Sequence, residues 1–147
     1  MPDNDAEEFF TKGLETLNRG NTVAALTCFE KSWQINPTPV AGSYLAYCMA
    51  KERGQIKKAI SICAKALQDA PDNNTIYLNL GKIYLLAGNK TGAIQILREG
   101  LDKGADPLLI AELTRLGTRK PPLFAFLPRN NPLNKFVGMI LGKLGLR

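Results

Sequence analysis

One feature dominates this sequence: short motifs recur every 34 residues along the first two-thirds of the chain. A glycine followed by a polar residue stands at Gly20-Asn21, Gly54-Gln55 and Gly88-Asn89. Two further columns keep the same interval, namely Ala25, Ala59 and Ala93, and Trp33, Leu67 and Leu101. A helical hairpin of this size cannot bury its apolar face alone, so a period of this length predicts a stack of similar hairpins.

Each repeat has the features of two antiparallel helices. Its glycine can adopt the left-handed conformation that ends the first helix, and the polar residue after it can begin the second. Apolar residues then return every three or four positions, as Ala25, Phe29 and Trp33 do in the first repeat. A proline such as Pro37 stops the second helix, and Thr38-Pro39 can start the next one. We therefore predict an all-α fold.

The repeats resemble those of the tetratricopeptide repeat (TPR) family, with units at residues 6–39, 40–73 and 74–105. The third unit matches the family signature best, at Tyr77, Leu80, Gly81, Tyr84 and Ala93. The second departs most, because Ser43 and Tyr47 stand where a bulky aromatic and a small residue are usual. The resemblance implies a right-handed superhelix of three helix-turn-helix units.

Four segments flank these units. Residues 1–5 form an N-terminal lead, and residues 106–117 are predicted to form a capping helix over the last apolar face of the array. Residues 118–131 contain three prolines and are expected to be extended. Residues 132–147 are predicted to form a basic amphipathic tail helix. Its apolar face consists of Leu133, Phe136, Val137, Ile140 and Leu144.

The net charge of +6 belongs to the C-terminal part of the chain. From Arg115 onward there are seven basic residues and no acidic one, whereas the preceding residues carry 12 basic against 13 acidic residues. The acidic N-terminus lacks the apolar core of a secretory signal. Three cysteines without a C-x-x-C pair favour buried thiols in a reducing compartment. We therefore expect a cytoplasmic protein.

Residues suited to catalysis are scarce. The chain has no histidine, which is the commonest general base and metal ligand. The cysteines fall in apolar helical patterns that predict a core position rather than a nucleophile. The segment Gly88-Asn-Lys-Thr91 lacks the glycine that a phosphate loop needs directly before its lysine, and no predicted strand precedes it. We expect no enzyme, no cofactor and no metal site.

In the TPR family, the first helix of each unit lines a concave surface that receives a peptide or a helix. The resemblance carries nine such positions to this chain: Phe10, Leu14, Leu17, Tyr44, Cys48, Lys51, Leu78, Lys82 and Leu85. The surface is largely apolar, which suits an amphipathic helix or an extended hydrophobic segment. The same side chains could instead pack against neighbouring helices of the array.

Some TPR proteins clamp a C-terminal carboxylate with basic and asparagine residues. The matching positions here are Phe10, Leu14, Leu45, Thr75 and Asn79, of which only Asn79 is polar enough to help. Binding of a chaperone tail is therefore disfavoured.

The leading functional hypothesis is an adaptor or scaffold that holds an apolar or helical segment of a partner protein. The segment Leu133–Leu144 could itself occupy the groove, in its own chain or in a second copy. The alternative is a peripheral protein anchored by its basic helix at the inner face of a membrane. Nucleic-acid binding is the weakest hypothesis, because the seven positive charges do not form a dense run.

Overall fold

The computed structural model describes residues 2–117, with side chains from residue 4 onward, and this part of the chain is all-helical. Its helices are α1 (Pro2–Asn18), α2 (Thr22–Ile35), α3 (Pro39–Arg53), α4 (Ile56–Asp69), α5 (Asn74–Leu86), α6 (Lys90–Lys103) and α7 (Pro107–Arg115). The predicted all-α fold is confirmed. Residues 2–5, the predicted lead, belong to α1. The predicted extended segment 118–131 and the tail helix 132–147 lie outside the described residues.

The first six helices form three consecutive hairpins, each made of an odd-numbered helix and the even-numbered helix that follows it. The hairpins stack because α3 packs against both α2 and α5, and α4 packs against α5. Helix α7 then packs on α6 and touches α5. The odd-numbered helices therefore follow one another along the array.

The turn inside each hairpin depends on its glycine. Gly20, Gly54 and Gly88 have φ angles of +83°, +66° and +78°, in the left-handed region that side-chain-bearing residues avoid. After two of these turns an asparagine caps the next helix: the Oδ1 of Asn21 accepts from the Ala24 N–H at 3.0 Å, and that of Asn89 accepts from the Gly92 N–H at 2.8 Å. The repeated glycine and polar residue thus end one helix and begin the next, as predicted.

The helices of a hairpin approach closely where a glycine faces a bulky side chain. A Cβ added at Gly13 of α1 would lie 2.6 Å from the Phe29 ring of α2. In the third hairpin, a Cβ at Gly81 would lie 2.7 Å from the Leu97 side chain. Both bulky side chains are fully buried. Each glycine therefore provides the space that its partner side chain fills.

The middle hairpin reverses this arrangement of sizes. Tyr47 occupies the position in the second repeat that Gly13 occupies in the first, and the small Cys63 likewise corresponds to Phe29. Cys63 is fully buried, and Tyr47 packs against the core cluster that contains it. The second repeat thus carries the bulky residue on its first helix and the small one on its second, the reverse of the other two repeats.

Helix α7 covers the end of the third hairpin within the described residues. Leu109 and Leu113 are buried, and a Cβ at Gly100 of α6 would lie 3.0 Å from Leu109 Cδ1. The Asp106 carboxylate accepts from the Leu108 N–H at 2.7 Å and caps the helix. The helix thus occupies the range in which a capping helix was predicted.

We expect Gly81→Ala to lower the free energy of unfolding by about 1–3 kcal/mol, because the new methyl group overlaps Leu97. Chemical denaturation monitored by circular dichroism would measure the change. In a double-mutant cycle, Leu97→Ala removes the overlapping atoms, so Gly81→Ala should cost less in that background. Strictly additive costs would show that the two residues do not constrain each other.

Candidate functional site

The inner side of the array forms a concave pocket of about 390 Å³. It is bounded by residues of all four odd-numbered helices and by the turn into α2. We call it the concave pocket and define it by these residues: Leu14, Leu17, Asn18, Gly20, Thr22, Tyr44, Tyr47, Lys51, Leu78, Asn79, Lys82 and Leu108. Leucines and tyrosines are half of these residues, and two lysines are the only charged ones among them.

Six of the nine predicted groove residues line the concave pocket: Leu14, Leu17, Tyr44, Lys51, Leu78 and Lys82. Leu85 lies in an adjacent depression of about 310 Å³, which also contains Leu86, Glu112 and Arg115. Tyr47 and Lys82 border both depressions. A segment that followed the concave pocket could therefore continue past Leu85 towards α7.

Cys48 does not fit the prediction that it lines the groove. Its side chain has no exposed surface, because it lies in the core cluster with Phe29, Leu45 and Met49. Cys48 comes four residues after Tyr44, and a step of four residues turns slightly more than once around the helix. That rotation directs the thiol towards the neighbouring hairpin instead of the pocket.

The predicted aromatic positions are shared between the core and the pocket. Tyr44 stacks on Phe29 with ring centroids 5.2 Å apart, and Phe10 meets the Tyr44 ring edge-on at 5.6 Å. Phe10 lies outside the concave pocket and supports Tyr44 from α1. Burial raises the pKa of the Tyr44 phenol, so the ring presents a neutral hydroxyl group. The aromatic cluster fixes Tyr44 in position.

The two lysines of the pocket have no carboxylate partner among the described residues. Carboxylates elsewhere in that part of the chain are paired with other cations, as Glu30 is with Arg53, Asp69 with Lys65 and Glu112 with Arg115. The ammonium group of Lys82 lies 5.8 Å from the centre of the Tyr47 ring, within the range of a cation–π contact. The concave pocket therefore combines an apolar wall with two positive charges that are not neutralised.

Asn79, the one polar residue at the clamp positions, already has a hydrogen-bond partner. Its Nδ2 donates to the Ser43 Oγ at 2.9 Å, and the Ser43 hydroxyl donates to the Val40 carbonyl at 2.8 Å. Asn79 is only 1% exposed, although its edge borders the pocket. This contact explains why a serine stands at position 43 instead of a bulky aromatic. In the sequence, this hydrogen bond is indicated by Ser43 and Asn79, which are polar residues on otherwise apolar helix faces.

Sequence reasoning also missed the contribution of α7 to the pocket. Leu108 is 64% exposed and forms one end of the pocket. The caps of successive odd-numbered helices, Thr38, Asn73 and Asp106, follow one another at nearly the same interval as the glycine turns. This near-constant interval could have identified α7 as the next helix of the inner row.

The remaining chemistry of the described residues is limited. Burial raises the pKa of the thiols of Cys48 and Cys63 to about 12. Residues 2–117 contain no cluster of histidine, cysteine and acidic side chains that could hold a metal ion. No helix in this range is long and apolar enough to span a bilayer.

We predict that Cys28, the partly exposed thiol, reacts with Ellman's reagent before Cys48 and Cys63. The two buried thiols have almost no thiolate at neutral pH and should react only when the protein unfolds. Absorbance of the released thiolate, with and without denaturant, would follow the reaction. A fast-reacting thiol in the folded Cys28→Ser protein would contradict the prediction.

Comparisons with known proteins agree with this architecture. Residues 50–115 match the family model described as Tetratricopeptide repeat. The NMR structure of the first TPR domain of the human RPAP3 protein is similar with a TM-score of 0.63 and 18% sequence identity, covering 79% of this chain and 92% of that chain. The first TPR of Spaghetti (RPAP3) bound to HSP90 peptide SRMEEVD is similar with a TM-score of 0.62 and 18% identity, covering 79% and 95%.

No curated protein matches the sequence significantly. The structural likeness, at 18% identity, establishes the TPR fold of the array.

Proposed function

We propose that this chain, whose residues 50–115 belong to the tetratricopeptide repeat family, is a non-enzymatic adaptor that binds an apolar or helical segment of a partner protein. The observation that carries the proposal is the concave pocket, in which four helices present leucine and tyrosine side chains to one space. An apolar groove of this kind suits an amphipathic helix or an extended apolar segment. A protein of similar fold is bound to a peptide in its own structure, which supports peptide binding by this architecture.

The exposed leucines support an apolar partner. Leu108 is 64% exposed and Leu86 is 42% exposed at the α7 end of the inner surface. Each Å² of apolar surface removed from water contributes about 25 cal/mol, so covering such side chains stabilises a complex. Isolated exposed leucines are common on protein surfaces, but these border two adjoining depressions.

We propose that the partner is not bound through the positions at which some TPR proteins clamp a C-terminal carboxylate. Phe10, Leu14 and Leu45 offer no polar group there. Thr75 offers a neutral hydroxyl group in place of a positive charge, and the amide of Asn79 donates to Ser43. A carboxylate placed at these positions would lose water without gaining enough hydrogen bonds. We therefore propose that a chaperone tail is not recognised through these residues.

We predict that Leu108→Ser lowers the affinity of the chain for a bound peptide by about tenfold, since an apolar contact of roughly 1.4 kcal/mol is lost. The peptide is one selected for binding to the full wild-type chain. Val23→Ser is the matched control, because Val23 is 62% exposed and does not line the pocket. Isothermal titration calorimetry would measure both variants. Equal affinities for Leu108→Ser and the wild-type chain would contradict the pocket as the binding site.

Leu108 is a sharper probe than the more buried groove positions. Tyr44 is stacked on Phe29, and Leu78 is only 8% exposed. A charged residue at either position is expected to abolish capture if the concave surface is used, but it would also disturb the core. Such variants therefore need circular dichroism as evidence that they remain folded.

The C-terminal segment supports a second candidate function, attachment to an anionic membrane surface. From Arg115 onward the sequence has seven basic residues and no acidic one. The predicted apolar face contains Phe136 and Ile140, and a basic amphipathic helix can lie in a lipid interface. We propose a cytoplasmic location for the chain, with the tail able to bring it to the inner face of a membrane.

We predict that the full chain sediments with anionic vesicles and that a chain ending at Asn131 does not, because the truncation removes the predicted apolar face and three basic residues. Phosphatidylcholine vesicles serve as the control for charge. Sedimentation of both proteins to the same extent would contradict membrane attachment by the tail.

The same truncation tests the tail as an occupant of the groove. If Leu133–Leu144 fills its own groove or that of a second copy, its removal should raise peptide affinity or lower the mass in solution. Unchanged affinity and unchanged mass would exclude both arrangements.

A further inference from the structure

We infer that Lys51 and Lys82 make the concave pocket selective for partner segments that carry carboxylates beside apolar side chains. The inference rests on the proposed function, and it adds the charge of the partner to it. The lysines that would bind a carboxylate are on α3 and α5, and neither stands at a position that other TPR proteins use to clamp a C-terminal carboxylate.

The first observation is that the positive charge in the pocket is uncompensated. Neither Lys51 nor Lys82 takes part in an ion pair among the described residues, and no acidic residue lines the concave pocket. The carboxylate in the adjacent depression, Glu112, is bound to Arg115. Two ammonium groups and no free carboxylate therefore face an incoming segment.

The second observation is that both lysines stand beside apolar and aromatic side chains. Lys82 is half-buried and lies over the Tyr47 ring, and Lys51 borders the same pocket as the leucine and tyrosine side chains. An ion pair is less screened where side chains exclude water than on an open surface. A carboxylate that enters with an apolar neighbour would thus gain more beside the half-buried Lys82 than at an isolated surface lysine.

The same charges act against basic segments. A lysine or arginine brought into the pocket would face two like charges, and such repulsion gives an interface much of its specificity. The predicted tail helix carries Lys135 and Lys143 and no acidic residue. The pocket therefore favours an acidic partner segment over the tail of its own chain.

Selection from a library of random peptides on phage, using the full chain as bait, provides the probe. We expect enrichment of peptides that combine acidic with bulky apolar residues. A synthetic copy of an enriched peptide should lose affinity about tenfold for Lys51→Glu/Lys82→Glu. The matched control is Lys57→Glu/Lys58→Glu on α4, which makes the same change in net charge at exposed residues outside the concave pocket. It should leave the affinity within about twofold.

Peptides with glutamine and asparagine in place of the acidic residues should bind the wild-type chain about as weakly as the acidic peptide binds Lys51→Glu/Lys82→Glu. Lys51→Gln/Lys82→Gln removes the charges without reversing them. Its affinity for the acidic peptide should lie between that of the wild-type chain and that of Lys51→Glu/Lys82→Glu. Circular dichroism would establish that each variant is folded.

The outcomes separate this inference from the proposed function. If the neutral peptide binds as well as the acidic one while Leu108→Ser still weakens both, the pocket binds apolar segments and the charge inference is wrong. If Leu108→Ser has no effect on any enriched peptide, the concave pocket is not the binding site and both proposals fail. Enrichment of basic peptides would also overturn the inference.

Discussion

The array depends on the match between a bulky and a small side chain where the two helices of each hairpin meet. A glycine leaves room for one large residue of the facing helix, and the backbones can then approach until that residue fills the space. The partners are Gly13 with Phe29 in the first hairpin and Gly81 with Leu97 in the third. The middle hairpin satisfies the same constraint with the sizes exchanged. The pairing of a small with a bulky residue type at these two positions therefore recurs in every repeat, whereas the helix that carries the bulky one changes.

This constraint explains how much of the fold could be predicted from one sequence. The glycine turns, the caps and the returning apolar residues each depend on residues only a few positions away. Their spacing in the sequence therefore predicts where each helix begins and ends and which face it buries. The inner surface was harder to predict, because one helix contributes both to the pocket and to the contact with the next hairpin. Tyr44 and Cys48 are one turn apart on α3, yet Tyr44 borders the pocket and Cys48 is fully buried. The direction of the neighbouring helix decides between them, and the residues of α3 alone do not specify it.

The hydrogen bond between Ser43 and Asn79 shows how a departure from a family pattern can act at a distance. The two residues are 36 positions apart and belong to neighbouring hairpins. A buried amide without a partner would destabilise the fold, so the serine hydroxyl and the asparagine amide favour one relative position of α3 and α5. The same contact uses the Nδ2 of Asn79 within the array, although an edge of this residue borders the concave pocket. A polar side chain on an inner helix is available to a ligand only if the array does not already use it.

The described part of the chain has an odd number of helices, and this has a geometrical consequence for the inner surface. Within residues 2–117 the inner row consists of α1, α3, α5 and α7, whereas the outer row consists of α2, α4 and α6. The inner row thus extends one helix beyond the outer row. At that end the exposed Leu108 borders the concave pocket, and α7 packs against α6 without a following outer helix among the described residues. Within residues 2–117, a segment lying along the inner row would therefore reach an exposed apolar side chain on a helix that has no hairpin partner in this range.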